Sequence, residues 1–219
     1  MKVLVIGSTG GSGRAAVAHL LTEGHEVTAF ARRAEPTQAP HPRLRVVTGD
    51  ALDPDDVDRA VAGQDAVVVT LGITENPLRV RLRGPAHTAL DVRSAGTRNV
   101  IAAMHRHGVR RLVVQTSYGV GDTRDRLGLI NRLFFALLLK PQIADTEIQN
   151  QEVADSGLDW VLVQPVHLTD DARDDLPFAS TTGEVAAMNV SRNSVGRFLA
   201  HATQSPAYIH RSVALSAAR

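Results

Sequence analysis

Short apolar runs alternate along the chain with longer amphipathic stretches. The early runs, such as "VLVI", "AVVVT" and "RLVVQ", contain almost no polar residues. Strands that are buried on both faces of a sheet have this composition. The pattern predicts strands over Lys2–Ile6, Glu26–Ala31, Leu44–Thr48, Ala66–Thr70, Arg111–Gln115, Trp160–Gln164 and Ser212–Leu215.

The stretches between these strands repeat their apolar residues at helical spacing. Local signals agree with two of the boundaries. Gly24 lies where a left-handed residue ends a helix, and Asp53 followed by Pro54 is typical of a helix start. The pattern predicts helices over Gly11–Glu23, Pro54–Ala62, Ala86–Arg106, Leu127–Leu139, Asp145–Asp155 and Asn193–Gln204.

Alternation of buried strands with helices predicts a parallel sheet, because a right-handed helical crossover joins parallel neighbours. We therefore expect an α/β fold with a doubly wound sheet, in a single domain over residues 1–219. The long segments 72–85, 118–145 and 167–190 are the expected substrate-side elements, the last of them near the C-terminus. Within the second, "LFFALLLK" is interpreted as a buried helix face, with a lid or a dimer contact as alternatives.

Composition excludes several classes of function. A formal net charge of +1 without runs of like charge argues against nucleic acid or a membrane surface as a partner. There is no cysteine, and His105 and His107 lie on different faces of a predicted helix, so we expect no metal site. No apolar run could span a bilayer, and no signal-peptide pattern occurs. We expect a cytoplasmic protein that is a monomer or a weak homodimer.

Three glycines spaced by three residues, Gly7, Gly10 and Gly13, follow the first strand and open the first helix. In a Rossmann-type fold the first glycine allows the turn, the second lets backbone approach a diphosphate, and the third lets helix and strand pack closely. Thr9 and Ser12 add donors to this loop. A glycine-rich turn without a ligand is the alternative interpretation.

The end of the second strand indicates which nucleotide is bound. NAD-binding folds place an acidic residue there to bond the ribose, whereas this chain has Arg32 and Arg33. Guanidinium groups suit a 2′-phosphate that a carboxylate would repel, so the sequence favours NADPH. The alternative is that one or both arginines are surface residues.

Two further stretches lie where a nucleotide would pass over the carboxyl ends of the strands. Asp50 follows the third strand and is a candidate acceptor for the adenine amino group, although a turn or cap role is also open. Leu71 and Gly72 follow the fourth strand and offer apolar cover and close backbone approach.

Several stretches resemble atypical short-chain dehydrogenase/reductases with an NAD(P)-binding, NmrA-like domain. They are "GSTGGSG", "GDALDPDDVDRAVAGQDAVVVTLG", "GTRNVIAAMHRHGVRRLVVQTS" and "SGLDWVLVQPVHLTD". The resemblance covers nearly the whole chain and is greatest to the biliverdin-IXβ reductase/flavin reductase branch. It implies a single Rossmann-type domain that uses NADPH to reduce flavins, tetrapyrroles and similar molecules, with FMN or FAD as substrate rather than prosthetic group.

The resemblance also assigns residues to the site. It puts Ser117 and His167 beside the nicotinamide and the acceptor, and Tyr118, next to Ser117, is a further candidate from the sequence itself. The cofactor-binding residues that it implies are Gly7, Thr9, Gly10, Ser12, Gly13, Arg32, Asp50, Ala51, Leu71 and Gly72. We add their neighbours Gly11 and Arg33, together with Thr116 and Pro165 at the ends of later strands, to the predicted set. The chain departs from the family pattern in "NPLRVRLRGPAHTALD" and in the segment after Ser117, which leaves the acceptor open.

The Tyr-x-x-x-Lys pair that most short-chain dehydrogenases use for carbonyl reduction is missing. The residues four positions after Tyr118 and Tyr208 are Asp122 and Ser212. Hydride transfer to a conjugated acceptor needs less acid catalysis, because the acceptor delocalises the incoming electrons.

Three candidate residues keep open alternatives. Ser117 is a candidate partner of the nicotinamide amide, His167 is a proton donor or a wall residue, and Tyr118 is a stacking surface. A small-molecule reductase is the favoured function. The alternative is an NmrA-like protein that senses NADP(H) without catalysis, and epimerase chemistry is weaker because the tyrosine is missing.

Overall fold

The computed structural model of the chain describes residues 1–33, 41–73, 88–126 and 140–218. Its main sheet contains eight strands in the order β3-β2-β1-β4-β5-β6-β10-β8, and β7 pairs with β9 separately. The strands are β1 (Lys2–Ile6), β2 (Glu26–Ala31), β3 (Leu44–Thr48), β4 (Ala66–Val69), β5 (Arg111–Gln115), β6 (Asp159–Pro165), β7 (His167–Thr169), β8 (Phe178–Ser180), β9 (Asn189–Ser191) and β10 (Arg211–Ser216). Only β8 runs antiparallel to its neighbour in the described sheet.

Helices connect these strands across both faces of the sheet. They are α1 (Gly11–Thr22), α2 (Pro54–Val61), α3 (Val92–His107), α4 (Lys140–Ala154) and α5 (Arg192–Gln204), with 3₁₀ turns at Gly121–Arg126 and Pro206–Tyr208. The Asp53 side chain caps α2 by accepting bonds from the amides of Asp55 and Asp56. Gly24, with φ +90°, follows the end of α1 as the sequence predicts.

Two apolar layers cover the sheet. One layer packs α1 and α5 against it, and the other packs α2, α3 and α4. Within the first layer α1 and α5 approach very closely, since a Cβ on Gly196 would lie 2.4 Å from that of Ala15. Glycine is therefore required at this crossing of the two helices.

The predicted doubly wound Rossmann-type fold is confirmed, with differences at particular elements. No strand was predicted in the substrate-side segment 167–190, but β7 and β8 lie within it and β9 begins there. Each has three residues, which are too few to show a periodic pattern. The helix predicted from Ala86 begins at Val92. The predicted helix Leu127–Leu139 lies outside the described residues.

The order of the strands creates a crevice at one edge of the sheet. β1 leads through α1 to β2 on one side, whereas β4 lies on the other side of β1. In open parallel sheets ligands bind at the carboxyl ends of the strands where the winding reverses. That point lies between the ends of β1 and β4.

Candidate functional site

The glycine loop turns sharply at the end of β1. Gly7 has φ +84°, and its amide donates to Phe30 O of β2 at 3.1 Å. A Cβ on Gly7 would lie 2.8 Å from Thr70 O, and one on Gly13 would lie 2.3 Å from Gly7 O. The Thr70 hydroxyl donates to the carbonyls of Ile6 and Gly7 at 3.0 and 3.1 Å. Protein packing therefore explains Gly7 and Gly13.

Gly10 differs from these two glycines. Its φ of −68° is ordinary for any residue, and a Cβ would meet only Gly7 O, at 3.4 Å, among the described atoms. Packing does not require glycine here, whereas a ligand that approaches the backbone would. Gly10 is the N-cap of α1 and offers no side-chain cap, and the first turn carries no acidic residue. The start of α1 is thus suited to an anion.

Arginines from two other elements lie beside this loop. Arg32 follows β2 and donates through Nη2 to the hydroxyl of the buried Thr88 at 3.1 Å, and both Arg32 and Arg33 are exposed. Arg192, the first residue of α5, extends over Gly11, where a Cβ would lie 2.3 Å from its Cδ. Its Nη1 donates to Asp170 at 2.7 Å.

The residues after β3 form a turn at the same edge. Asp50 accepts a bond from Leu52 N at 3.0 Å, which is the turn role left open by the sequence. Ala51 is buried, and its carbonyl accepts from the Asn99 side chain of α3 at 3.0 Å. Leu71 packs over α3, since a Cβ on Gly96 would lie 2.6 Å from its Cδ1. These contacts hold Ala51 and Leu71 side by side.

Adjacent strand ends bring the predicted nicotinamide-side residues to one part of the edge. Thr116 follows β5 and is hydrogen-bonded to Val163 of β6, at 2.8 Å from N to O. Ser117 comes next and is half-buried, and its Oγ makes only a 3.3 Å contact to the carbonyl of Tyr118 among the described residues. Pro165 ends β6, and His167 is exposed at the start of β7.

Tyr118 lies elsewhere. Its ring is 4% exposed in the apolar layer with α1 and α5, and its hydroxyl donates to Gly183 O at 3.1 Å. Burial raises the pKa of this phenol above its ordinary value of 10.0. The structure gives no support to a stacking role, because it places the ring in the core.

Arg93 and Arg192 were not expected from the sequence, because long-range contacts bring each to the crevice. The Arg93 guanidinium of α3 lies against Gly72, where a Cβ would meet its Nη2 at 2.9 Å. Among the described residues there is no cluster of His, Asp and Glu that could hold a metal ion. None of the helices in the described ranges has both the length and the apolar character needed to cross a membrane.

Curated relatives match parts of the chain. It is 36% identical over 126 residues to a 3-beta-hydroxysteroid dehydrogenase of Mycolicibacterium neoaurum, which covers 54% of this chain and 32% of that protein. It is 36% identical over 125 residues to a 2-alkyl-3-oxoalkanoate reductase of Stenotrophomonas maltophilia, covering 55% and 34%. The chain spans about a third of the length of these relatives.

Solved structures share the fold over nearly the whole chain. ChuY of Escherichia coli O157:H7, an anaerobillin reductase, superposes with a TM-score of 0.78 at 22% identity, covering 98% of this chain and 96% of that one. A short-chain dehydrogenase/reductase of Veillonella parvula in complex with NADP superposes with a TM-score of 0.79 at 17% identity, covering 98% and 94%.

The family match extends beyond the glycine loop. Residues 7–206 match the NAD(P)H-binding family, a range that begins at Gly7 and includes every predicted site residue. The resemblance inferred from the sequence is confirmed at this level. The chain belongs to the NAD(P)H-binding family and has the Rossmann fold.

Proposed function

We propose that the protein is an NADPH-dependent reductase that transfers a hydride to a conjugated small molecule, such as a flavin, a quinone or a tetrapyrrole. The observation that carries the proposal is the open backbone at Gly10. Packing leaves that glycine unexplained, and a diphosphate bound at the uncapped start of α1 would explain it. The reductase and dehydrogenase names of the relatives support a redox role.

The positions of the arginines support NADPH over NADH. Arg32 lies at the end of β2, where the ribose 2′-position of a bound nucleotide falls in this fold. Its bond to Thr88 links β2 to the segment before α3 across the crevice. A guanidinium in that position would bind a 2′-phosphate through charged hydrogen bonds. Arg33 is exposed like Arg32 and is the second candidate.

Arg192 adds a second cation, at the diphosphate. Its side chain occupies the space that a side chain at position 11 would fill, directly beside the first turn of α1. Asp170 bonds one nitrogen of the guanidinium, which carries five N–H donors in all. We assign Arg192 to the diphosphate together with the first-turn amides, because both nicotinamide nucleotides share that group.

A conjugated acceptor fits the nicotinamide side. When bound, NADPH supplies the hydride, so the chain must hold the acceptor close and in the right orientation. Ser117 and His167 follow adjacent strand ends and are our candidates for orienting the acceptor and passing it a proton. Tyr118 is buried, and the residue four positions after it is Asp122, where the usual tyrosine mechanism has a lysine. Both observations argue against carbonyl reduction by that mechanism.

The proposal is tested with the purified chain. NADPH affinity is measured by calorimetry, and NADPH oxidation is followed at its absorbance band with FMN, a quinone and a linear tetrapyrrole offered in turn. We expect binding and oxidation above background with at least one acceptor. Absence of nucleotide binding would overturn the proposal. Binding without oxidation by any acceptor would favour the NADP(H)-sensing alternative.

A further inference from the structure

Arg93 is a partly buried cation in the candidate site that the proposed binding of NADPH does not employ. Its guanidinium lies beside Gly72, just after β4, with Nη2, Cζ and Nη1 at 2.9, 3.4 and 3.8 Å from where a Cβ on Gly72 would be. Glycine at position 72 therefore leaves room for the guanidinium. The side chain is fixed at the carboxyl edge of the sheet, between β4 and α3.

The charge of Arg93 is electrostatically unfavourable where it stands. It belongs to the first turn of α3, at the positive end of the helix dipole, and that turn contains no acidic residue. Burial lowers the pKa of Arg93 below its ordinary value, and Asp145 opposes this effect only in part. An arginine stays charged under such conditions, so its charge needs a counter-charge.

Asp145 is occupied in capping α3. Its carboxylate accepts bonds from Arg93 N at 3.0 Å, from Ser94 N at 3.1 Å and from the Ser94 hydroxyl. Two other carboxylates that face α3 form ion pairs with different arginines of that helix, Glu152 with Arg98 and Asp58 with Arg106. Across the described ranges, the guanidinium of Arg93 forms no ion pair within 4.0 Å and Asp145 offsets its charge only in part, so a bound anion would add to the compensation.

We propose that Arg93 binds an anionic group of the acceptor, a carboxylate or a phosphate. The inference rests on the proposed function for the hydride donor. The nucleotide's own anionic groups already have candidate partners, namely the start of α1 with Arg192 and, for the 2′-phosphate, Arg32. Gly72 lies one strand from Ser117, so an anion on Arg93 would come from a molecule that reaches the nicotinamide side. The acceptor is therefore a conjugated molecule that carries negative charge.

FMN and riboflavin provide a matched pair of probes, because they share the ring system and differ by the phosphate. Their affinities for the complex with NADP⁺ are measured by quenching of flavin fluorescence, which does not require turnover. For the unmodified protein we expect FMN to bind more tightly than riboflavin. Arg93→Gln should lower the affinity for FMN by about tenfold to a hundredfold, as expected for the loss of a charged hydrogen bond. The affinities for riboflavin and NADPH should remain nearly unchanged.

Two further variants separate a binding role from a structural one. Arg98→Gln changes an exposed arginine on the same helix and should leave the FMN preference intact. Arg93→Lys keeps the charge and should retain part of the preference. The proposal is overturned if the unmodified protein binds FMN and riboflavin with equal affinity. It is also overturned if Arg93→Gln lowers the affinity for NADPH and leaves that for FMN unchanged. The proposed function fails separately, when the unmodified protein binds no nucleotide.

Discussion

At the scale of single residues, glycine is required at position 7 for two reasons, the backbone conformation and the close packing against Thr70. Their contributions to stability can be measured separately. Its φ of +84° is strained for any other residue, and a Cβ would also collide with Thr70 O. Gly63 has a similar φ of +74° with nothing within 4 Å of its Cβ position. Gly63→Ala should cost about 1–2 kcal/mol of unfolding free energy from backbone strain alone. Gly7→Ala should cost about 1–3 kcal/mol more.

Urea denaturation of the two variants gives the comparison. Equal losses of stability would show that the chain at Gly7 can shift away from Thr70, and the close packing between β1 and β4 would then not be required.

Arg32 should determine which nucleotide is preferred. Arg32→Ala is expected to lower the affinity for NADPH by about tenfold to a hundredfold, because a charged hydrogen bond to the 2′-phosphate is lost. NADH lacks the 2′-phosphate, so its affinity should hardly change. Calorimetry with both nucleotides measures the ratio, and Arg33→Ala is the neighbouring control. Equal weakening of both nucleotides would place Arg32 away from the 2′-phosphate.

The sequence predicted the residues whose roles depend on local geometry. Gly7, Gly10 and Gly13 follow a buried strand, and that order alone indicates the loop. Arg93 and Arg192 could not be found in this way, because Gly72 and Gly11, which they contact, are distant in sequence. For Tyr118, the position after β5 suggested the site, whereas its bond to Gly183 holds it in the core.

At the scale of elements, α5 takes part in the site through its first residue. Arg192→Ala should lower the affinities for NADPH and NADH by the same factor, about tenfold or more. The reason is that we assign its charged contact to the diphosphate, which both nucleotides contain. Arg197, one turn further along α5, donates to the Asp174 carbonyl and provides the control variant. Loss of NADPH affinity alone, or an equal loss in Arg197→Ala, would contradict this assignment.

Helices and strands were predicted correctly where the segment was long enough for its pattern of apolar residues to be recognised. The predicted and observed ranges of β1 to β5 agree to within one residue, and β1, β4 and β5 contain uninterrupted apolar runs. The short strands β7 and β9 exist because they pair with each other across many intervening residues, and no local pattern marks them. The start of α3 was misplaced because its cap comes from Asp145, on another helix.

At the scale of the whole molecule, nucleotide binding should stabilise the fold. A ligand at a hundred times its dissociation constant adds about 2.7 kcal/mol. A domain of this size gains about 2–4 °C per kcal/mol, so NADP⁺ should raise the melting temperature by roughly 5–11 °C. Scanning calorimetry measures the shift, and the Arg32→Ala variant should show a smaller one at the same concentration. An unchanged melting temperature at saturating NADP⁺ would contradict the nucleotide site.

The close crossing of Gly196 and Ala15 has a consequence for how the protein is made. The glycine motif leaves the ribosome before α5, the helix that brings Arg192 to it. Contacts between such distant parts of a chain form late in folding. A nascent or truncated chain without α5 would contain the whole motif and still lack Arg192 beside it, so we expect such a chain to bind the nucleotide more weakly than one that includes α5.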